Sequence, residues 1–182
     1  MDKFKIKKAI ELFFEAIGED RARSGLIDTP ERCIKACEEL FSGYSENIEK
    51  NLKFFDIDEN HELNHVTQND EKLIINDIPF FSMCEHHLLP FWGTVNITCT
   101  HGNTVLGLSK FSRIVNAFSR RLQIQERLTK QICYYLFKNI PKVKNIEVKI
   151  KAQHMCMIMR GIKNIDTSIE TIAFYENIDK TM

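Results

Sequence analysis

The sequence has little of what marks several large protein classes. It carries no net charge, with 25 basic and 25 acidic residues in 182. Proteins that coat nucleic acid or an anionic membrane draw on a basic surplus, so the balance argues against both partners. It still leaves room for one local basic pocket. Seven glycines and four prolines are too few for long low-complexity linkers. No run approaches the ~18 apolar residues of a membrane span. The opening stretch MDKFKIKKAIELFFEAIGED has its apolar residues broken by Lys5, Lys7, Lys8 and Glu11, so it lacks the apolar centre of a secretory signal. We therefore read a soluble, cytoplasmic protein, in a compartment where thiols stay reduced. The six cysteines (Cys33, Cys37, Cys84, Cys99, Cys133 and Cys156) are then core thiols or metal ligands rather than a disulfide framework.

What is present is ordinary globular composition, 43% apolar and 27% charged. A chain this long buries roughly 70% of the surface its unfolded form exposes. Helical spacing of Phe4, Ile6, Ile10, Phe13, Phe14 and Ile17 predicts an amphipathic helix over 3–17. Thr29 as cap and Pro30 as first helical residue predict a second helix, with Ile34, Cys37, Leu40 and Phe41 as its buried stripe and Gly43 as its stop. Residues 44–72 read as irregular, with one short strand near Leu52–Ile57. Residues 73–81 and 91–99 suit strands. Ser109 opens a helix bearing Phe111, Ile114, Val115 and Phe118, and a longer helix covers 123–139. Residues 144–160 return to strand, with Ile146, Val148, Ile150 and Ala152 alternating with Glu147, Lys149 and Lys151. The reading is α+β, in the order strand, strand, helix, helix, strand, then a further strand. A helical N-terminal extension occupies 1–60 and a single sheet-and-helix core 61–182.

The densest chemistry lies in Cys84-Glu85-His86-His87. Zinc takes thiolate and imidazole ligands, and the C-x-x-H spacing lets two side chains of one turn converge on it. His154-Met155-Cys156 is the second cluster. On a strand, His154, Cys156 and Arg160 would share a face. Cys84, His87 and Cys156 would then supply three ligands and leave one position for water, the pattern of a catalytic rather than a structural zinc. His86 and His154 are the candidates for proton transfer. Cys99 with His101 is a rival ligand pair, though a strand cysteine followed by a loop histidine more often means packing beside surface. A single C-x-x-H or a single thiol is weak evidence; the joint occurrence of both clusters carries the metal reading.

Lys110 and Arg113, three residues apart beside Ser109 at a helix start, share a face and make an anion site. Arg160, and Arg32 with Lys35 on the second helix, are further cations. For any one of them a solvated charged face is the plainer reading. In Gln125-Glu126-Arg127, the carboxylate of Glu126 can accept two hydrogen bonds from a guanine-like N–H edge.

CEHHLLPFWG, GLSKFSRIV, QERLTKQI and AQHMCMIMRG occur in that order, preceded by DTPERCIKACEELFSGY. Together they resemble GTP cyclohydrolase type I, from about Asp28 to Gly161 with a gap at 45–72. The resemblance implies the tunnelling fold, an antiparallel four-stranded sheet backed by two helices. It implies conversion of GTP and water to 7,8-dihydroneopterin triphosphate and formate, the first step of pterin and tetrahydrofolate biosynthesis. Carried over by motif, Cys84, His87 and Cys156 hold Zn2+, His86 and His154 move protons, and Glu126 with Gln125 holds guanine. Ser109, Lys110, Arg113, Arg160, Arg32 and Lys35 would bind the triphosphate. Family members are homo-oligomers, commonly decamers of two pentamers with active sites at subunit interfaces. Two other readings are a relative that stops at a ring-opened purine nucleotide, and a non-catalytic assembly protein with a fourth zinc ligand from Cys99 or His101. The sequence departs from the family pattern at Thr94, where lysine is usual, at Leu122, where proline is usual, and in the segment after Gly161.

Overall fold

The computed structural model describes residues 1–56, 72–102 and 104–177. They form two compact units, Met1–Ser42 and Gly43–Met182. The boundary expected near residue 60 lies outside the described residues.

The first unit is a helix pair. Asp2 accepts a hydrogen bond from the Lys5 N–H at 3.1 Å and so caps α1 (Lys3–Ala16). The second helix, α2 (Thr29–Leu40), starts one residue before expectation, with Asp28 in the flanking position and Pro30 inside the first turn. Gly43 lies beyond its end, where Phe41 occupies the cap. Phe14 and Ile34 are buried, and ion pairs from Lys7 to Glu31 (2.9 Å) and Lys3 to Glu38 (2.6 Å) join the two helices. Of the apolar stripe expected on α1, Phe4, Phe13 and Ile17 stay exposed, because a single partner helix covers only one side of it.

In the second unit, Lys72–Cys84 (β2), Pro90–Thr100 (β3), Asn145–His154 (β6) and Ile169–Glu176 (β7) pair antiparallel in the order β2-β3-β6-β7. The expected four-stranded antiparallel sheet is present. A two-residue strand, β5 (Leu122–Gln123), adds a parallel edge beside Met83 and Cys84. A separate ribbon pairs β1 (Phe54–Asp56) with β4 (Thr104–Leu106); the last residue of the strand expected there, Ile57, lies outside the described residues. Helices α3 (Leu108–Ser119) and α4 (Gln125–Asn139) bury Phe111, Ile114, Leu128, Ile132 and Leu136 completely. Their partners are Val95, Ile97, Val148 and Ile150 of the sheet. At about 1.5–3 kcal/mol per large apolar side chain, this layer is the main source of stability. The sequence after Gly161, where the family pattern fades, still forms β7, which pairs with β6 from Ile169↔Ala152 to Glu176↔Asn145.

Two local features bear on the site. Gly93 is required: a Cβ there would lie 1.9 Å from the Lys151 carbonyl oxygen and 2.7 Å from the Ala152 Cα. The strand expected over 144–160 stops at His154. Met155–Ile158 instead make one helical turn (α5), so alternation along a strand does not place Cys156 and Arg160. Among the described residues no helix is long and apolar enough to cross a membrane.

Candidate active site

The turn joining β2 to β3 is closed at both ends. The Cys84 N–H donates to the Leu89 carbonyl at 2.8 Å, and the Leu88 N–H donates to the Cys84 carbonyl at 2.9 Å. Closing it this tightly puts Leu88 at φ 53°, a left-handed conformation that costs about 1–2 kcal/mol outside glycine. The return is that Cys84 and His87 face each other, with Sγ and Nδ1 3.9 Å apart. Cys156, on α5, completes the group, and the ligand atoms of Cys84, His87 and Cys156 all lie within 4.8 Å of one another.

The donor set fits a soft divalent cation. Two thiols and an imidazole are zinc's preferred ligands, and three of them leave a coordination position open. Burial, and then the neighbouring Cys84, push the Cys156 thiol up from its ordinary value, a repulsion between thiolates that a cation would relieve. Cys99 does not join the group. Phe91 pairs with His154 at the site end of β3, while Cys99 pairs with Ile146 eight residues further along, roughly 27 Å away at strand rise. Burial pushes the Cys99 thiol up to about 11, and the His101 Nδ1 is engaged with the Gly102 carbonyl at 2.7 Å.

His154 is held in both plane and rotation. Its ring stacks on Phe91, with centroids 4.6 Å apart and planes 3° from parallel. Its Nε2 lies 2.9 Å from the Gln125 Oε1. Gln125 is only 2% exposed, and its amide nitrogen donates to the carbonyls of Ile150 (3.1 Å) and Ile169 (3.0 Å) and to the Thr171 hydroxyl (3.1 Å). Flipping the amide would set its oxygen against two carbonyls, so the oxygen must face His154. An oxygen there can only accept, so His154 carries a proton on Nε2. Nδ1 is left as the nitrogen that can take or give one. Burial lowers the His154 pKa, and the charge of nearby Glu126 partly offsets that.

The other expected residues divide. His86 is exposed on the β2–β3 turn, its ring 6.2 Å from that of His87 and nearly perpendicular to it. The Arg160 guanidinium lies 3.4 Å from the His87 Nε2. Glu126 is exposed and lines an open cavity of about 460 Å³ with Arg127, Lys130 and Tyr134. Ser109, Lys110 and Arg113 lie on the first turns of α3, and neither cation has a carboxylate partner among the described residues. Arg32 and Lys35 are on α2 in the first unit, where Arg32 pairs with Asp28 at 3.3 Å. Gln125, expected beside the substrate, has its amide engaged inside the chain instead.

The sequence reading missed two supports. The first is Phe91 under His154, which becomes visible only once the β3–β6 register is known. The second is Arg127. Its guanidinium pairs with the Glu85 carboxylate within the β2–β3 turn and donates from Nε to the Gln123 Oε1 at 3.0 Å. That contact holds the Glu85 carboxyl below its ordinary value.

Comparison with known proteins identifies the family. The profile of the family described as GTP cyclohydrolase I matches residues 6–182. GTP cyclohydrolase 1 of Finegoldia magna is 45% identical, over 98% of this chain and 94% of that protein. The protein of the same name from Enterococcus faecalis is 46% identical, over 93% and 87%, and that from Clostridium kluyveri 42%, over 95% and 88%. The apo crystal structure of the archaeosine synthase QueF-Like is 14% identical, with a TM-score of 0.47, over 61% of this chain and 99% of that one. The chain therefore belongs to the GTP cyclohydrolase I family.

Proposed function

We propose that the protein converts GTP and water to 7,8-dihydroneopterin triphosphate and formate, with Zn2+ held by Cys84, His87 and Cys156. The observation that carries this reading is the convergence of those three ligands, together with a histidine locked in one tautomer two residues from Cys156. When bound, zinc would activate a water for attack at guanine C8.

The remaining chemistry belongs to side chains of this protein. His154, after taking a proton from solvent onto Nδ1, delivers that proton to guanine N7, which makes C8 electrophilic, while Gln125 keeps Nε2 protonated and the ring fixed. Gln125 enters this reading as a support for His154, in place of the guanine contact expected of it. Glu126 accepts the guanine N–H edge from the open cavity. His86, exposed and beside the ligand turn, serves the proton transfers of ribose rearrangement and ring closure. Ser109, Lys110, Arg113 and Arg160, with Arg32 and Lys35, hold a triphosphate that does not react, so they contribute affinity and position. We place the active unit in a homo-oligomer, a decamer of two pentamers, with sites completed at subunit interfaces, and we assign the protein to the cytoplasm, consistent with six free cysteines.

The test is one sample of reduced, zinc-loaded protein with GTP, followed for both formate and oxidisable neopterin fluorescence. Both signals are expected in equal amounts. Formate or a ring-opened product without neopterin would replace this reading with one that stops after imidazole opening. Absence of both from protein holding one zinc per chain would sink it.

A further inference from the structure

We propose that Arg127 is a positioning residue for the metal, acting through Glu85, and that the first turn of α4 sets the spacing of the two halves of the zinc site. The inference rests on the reading of Cys84, His87 and Cys156 as zinc ligands.

The ligands come from two segments that the sheet joins only through β3, whose Phe91 pairs with His154. Cys84 and His87 belong to the β2–β3 turn, and Cys156 belongs to the turn after β6. A soft cation needs both segments at fixed separation, because ligand distances are confined to about 0.2 Å. The ladder ends at Phe91 and His154, short of His87 and Cys156 themselves. The structure adds a brace beyond the ladder. Glu85, the residue next to Cys84, donates its N–H to the Gln123 carbonyl at 3.1 Å. Its carboxylate takes two contacts from the Arg127 guanidinium. Arg127 is itself fixed by the Gln123 Oε1 (3.0 Å) and the Leu122 carbonyl (3.3 Å). Gln123 is 1% exposed and donates to the Phe118 carbonyl and the Gln131 Oε1, both at 2.9 Å. A two-point arginine–carboxylate contact specifies geometry as well as attraction. The other segment is held from the same helix turn, where Gln125 bonds His154, two residues before Cys156. Two positions of α4, Gln125 and Arg127, thus reach the two ligand segments.

The side chains of Arg127 and Glu85 are about one-third exposed (39% and 32%). An ordinary surface ion pair of that exposure contributes little to stability, so its predicted effect is on the metal, where a small shift of a ligand matters. Partners that orient metal ligands typically cost 10–100-fold in affinity when removed.

The experiment measures Zn2+ affinity of the full chain by competition with a chromophoric chelator. Wild type is compared with Arg127→Met, Glu85→Gln and the reciprocal swap Glu85→Arg/Arg127→Glu. Each single change should weaken zinc binding 10–100-fold, and the swap should recover most of the loss. Glu85→Gln is nearly isosteric at a part-exposed position, so it keeps the test valid if Arg127→Met folds poorly. Wild-type affinity in both single variants would overturn the proposal. If Arg127→Met alone then showed a raised KM for GTP, Arg127 would be a wall of the substrate cavity instead. Weakening that the swap leaves unrepaired would also overturn it. Failure of wild type to bind Zn2+ at all would refute the ligand assignment, a different outcome from any of these.

Discussion

Replacing Gln125 by leucine separates two roles that the sequence alone runs together. Leucine keeps the volume and removes every polar contact of the amide: two N–H donors shared among three internal acceptors, and the acceptance from His154. At about 1 kcal/mol net for each bond, and with partial repacking by the apolar side chain, the fold should lose roughly 2–4 kcal/mol. At His154 the stacking on Phe91 survives, so the ring keeps its plane. It loses the acceptor that holds the proton on Nε2, and the neutral ring divides between two tautomers. General acid–base catalysis contributes about 10²–10⁴-fold in rate. Because the imidazole itself remains, we expect a loss of about 10–100-fold in kcat, or about 1.4–2.8 kcal/mol in the barrier. The KM for GTP should stay within about threefold, since the amide does not face the cavity. Gln125→Glu keeps an acceptor for His154 but turns a carboxylate oxygen toward the Ile150 and Ile169 carbonyls. It should recover part of kcat while remaining destabilised. The assays are steady-state neopterin formation at saturating zinc, and urea denaturation of the same preparations. A Gln125→Leu enzyme with kcat near wild type and KM raised about tenfold or more would refute this reasoning and return Gln125 to the substrate.

Three further predictions follow from other parts of the structure. His86→Ala and His154→Ala should each lose about 10²-fold or more in kcat with zinc content intact; normal turnover by either would remove that residue from the chemistry. Gly93→Ala should cost about 3 kcal/mol or more, measured by denaturation, because the new Cβ meets the Lys151 carbonyl and the Ala152 Cα, backbone atoms that cannot swing aside; it should also lower activity by disturbing β3 beside Phe91 and His154. Burial raises Cys99 to about 11 and Cys133 to about 12, from 9.0. A folded pKa above the unfolded one means the stabilisation is complete below about pH 9 and declines as pH rises toward 11–12. The urea midpoint should therefore fall between pH 9 and 11, at up to about 1.4 kcal/mol per pH unit for each thiol. Cys99→Ala should flatten that slope even though its cavity lowers stability at every pH; an unchanged slope would show that Cys99 does not titrate with unfolding.

The legible parts of the sequence were those with periodicity or a short covalent spacing. Alternation of Ile146, Val148, Ile150 and Ala152 predicted β6, and helical spacing of Leu128, Ile132 and Leu136 predicted α4. Cys84 and His87 were readable because one turn brings them together. Cys156 was named for a sound chemical reason and a faulty geometric one: the strand ends at His154, and a helical turn, not strand alternation, delivers the thiol. Leu122, a departure from the family pattern, uses what proline lacks, donating its N–H to the Tyr44 hydroxyl at 3.0 Å. The supports around the site left no local trace. Phe91 under His154 depends on β-register, and Arg127 with Glu85 joins residues 42 apart. Neither relation has a sequence period to betray it.

Gln125, Glu126 and Arg127 show how three adjacent residues acquire three different tasks. Successive α-helical residues are rotated by about 100°, so a run at the start of α4 fans across much of the helix circumference. Gln125 faces the sheet and reaches His154; Glu126 faces the open cavity; Arg127 faces the β2–β3 turn and reaches Glu85. The rotation is fixed from behind by Leu128 and Ile132, both fully buried. Inserting one residue between Arg127 and Leu128 while those anchors stay seated would turn the fan by about 100°. The acid would then be where the amide belongs, against two carbonyls, and the guanidinium where the acid belongs, leaving Glu85 without its cation. The proposed metal spacing, the histidine tautomer and the carboxylate proposed for substrate are thus tied to a single variable, the register of α4. A compensated shift of that register should therefore damage zinc affinity, kcat and KM together, whereas point changes at the three residues should damage them one at a time.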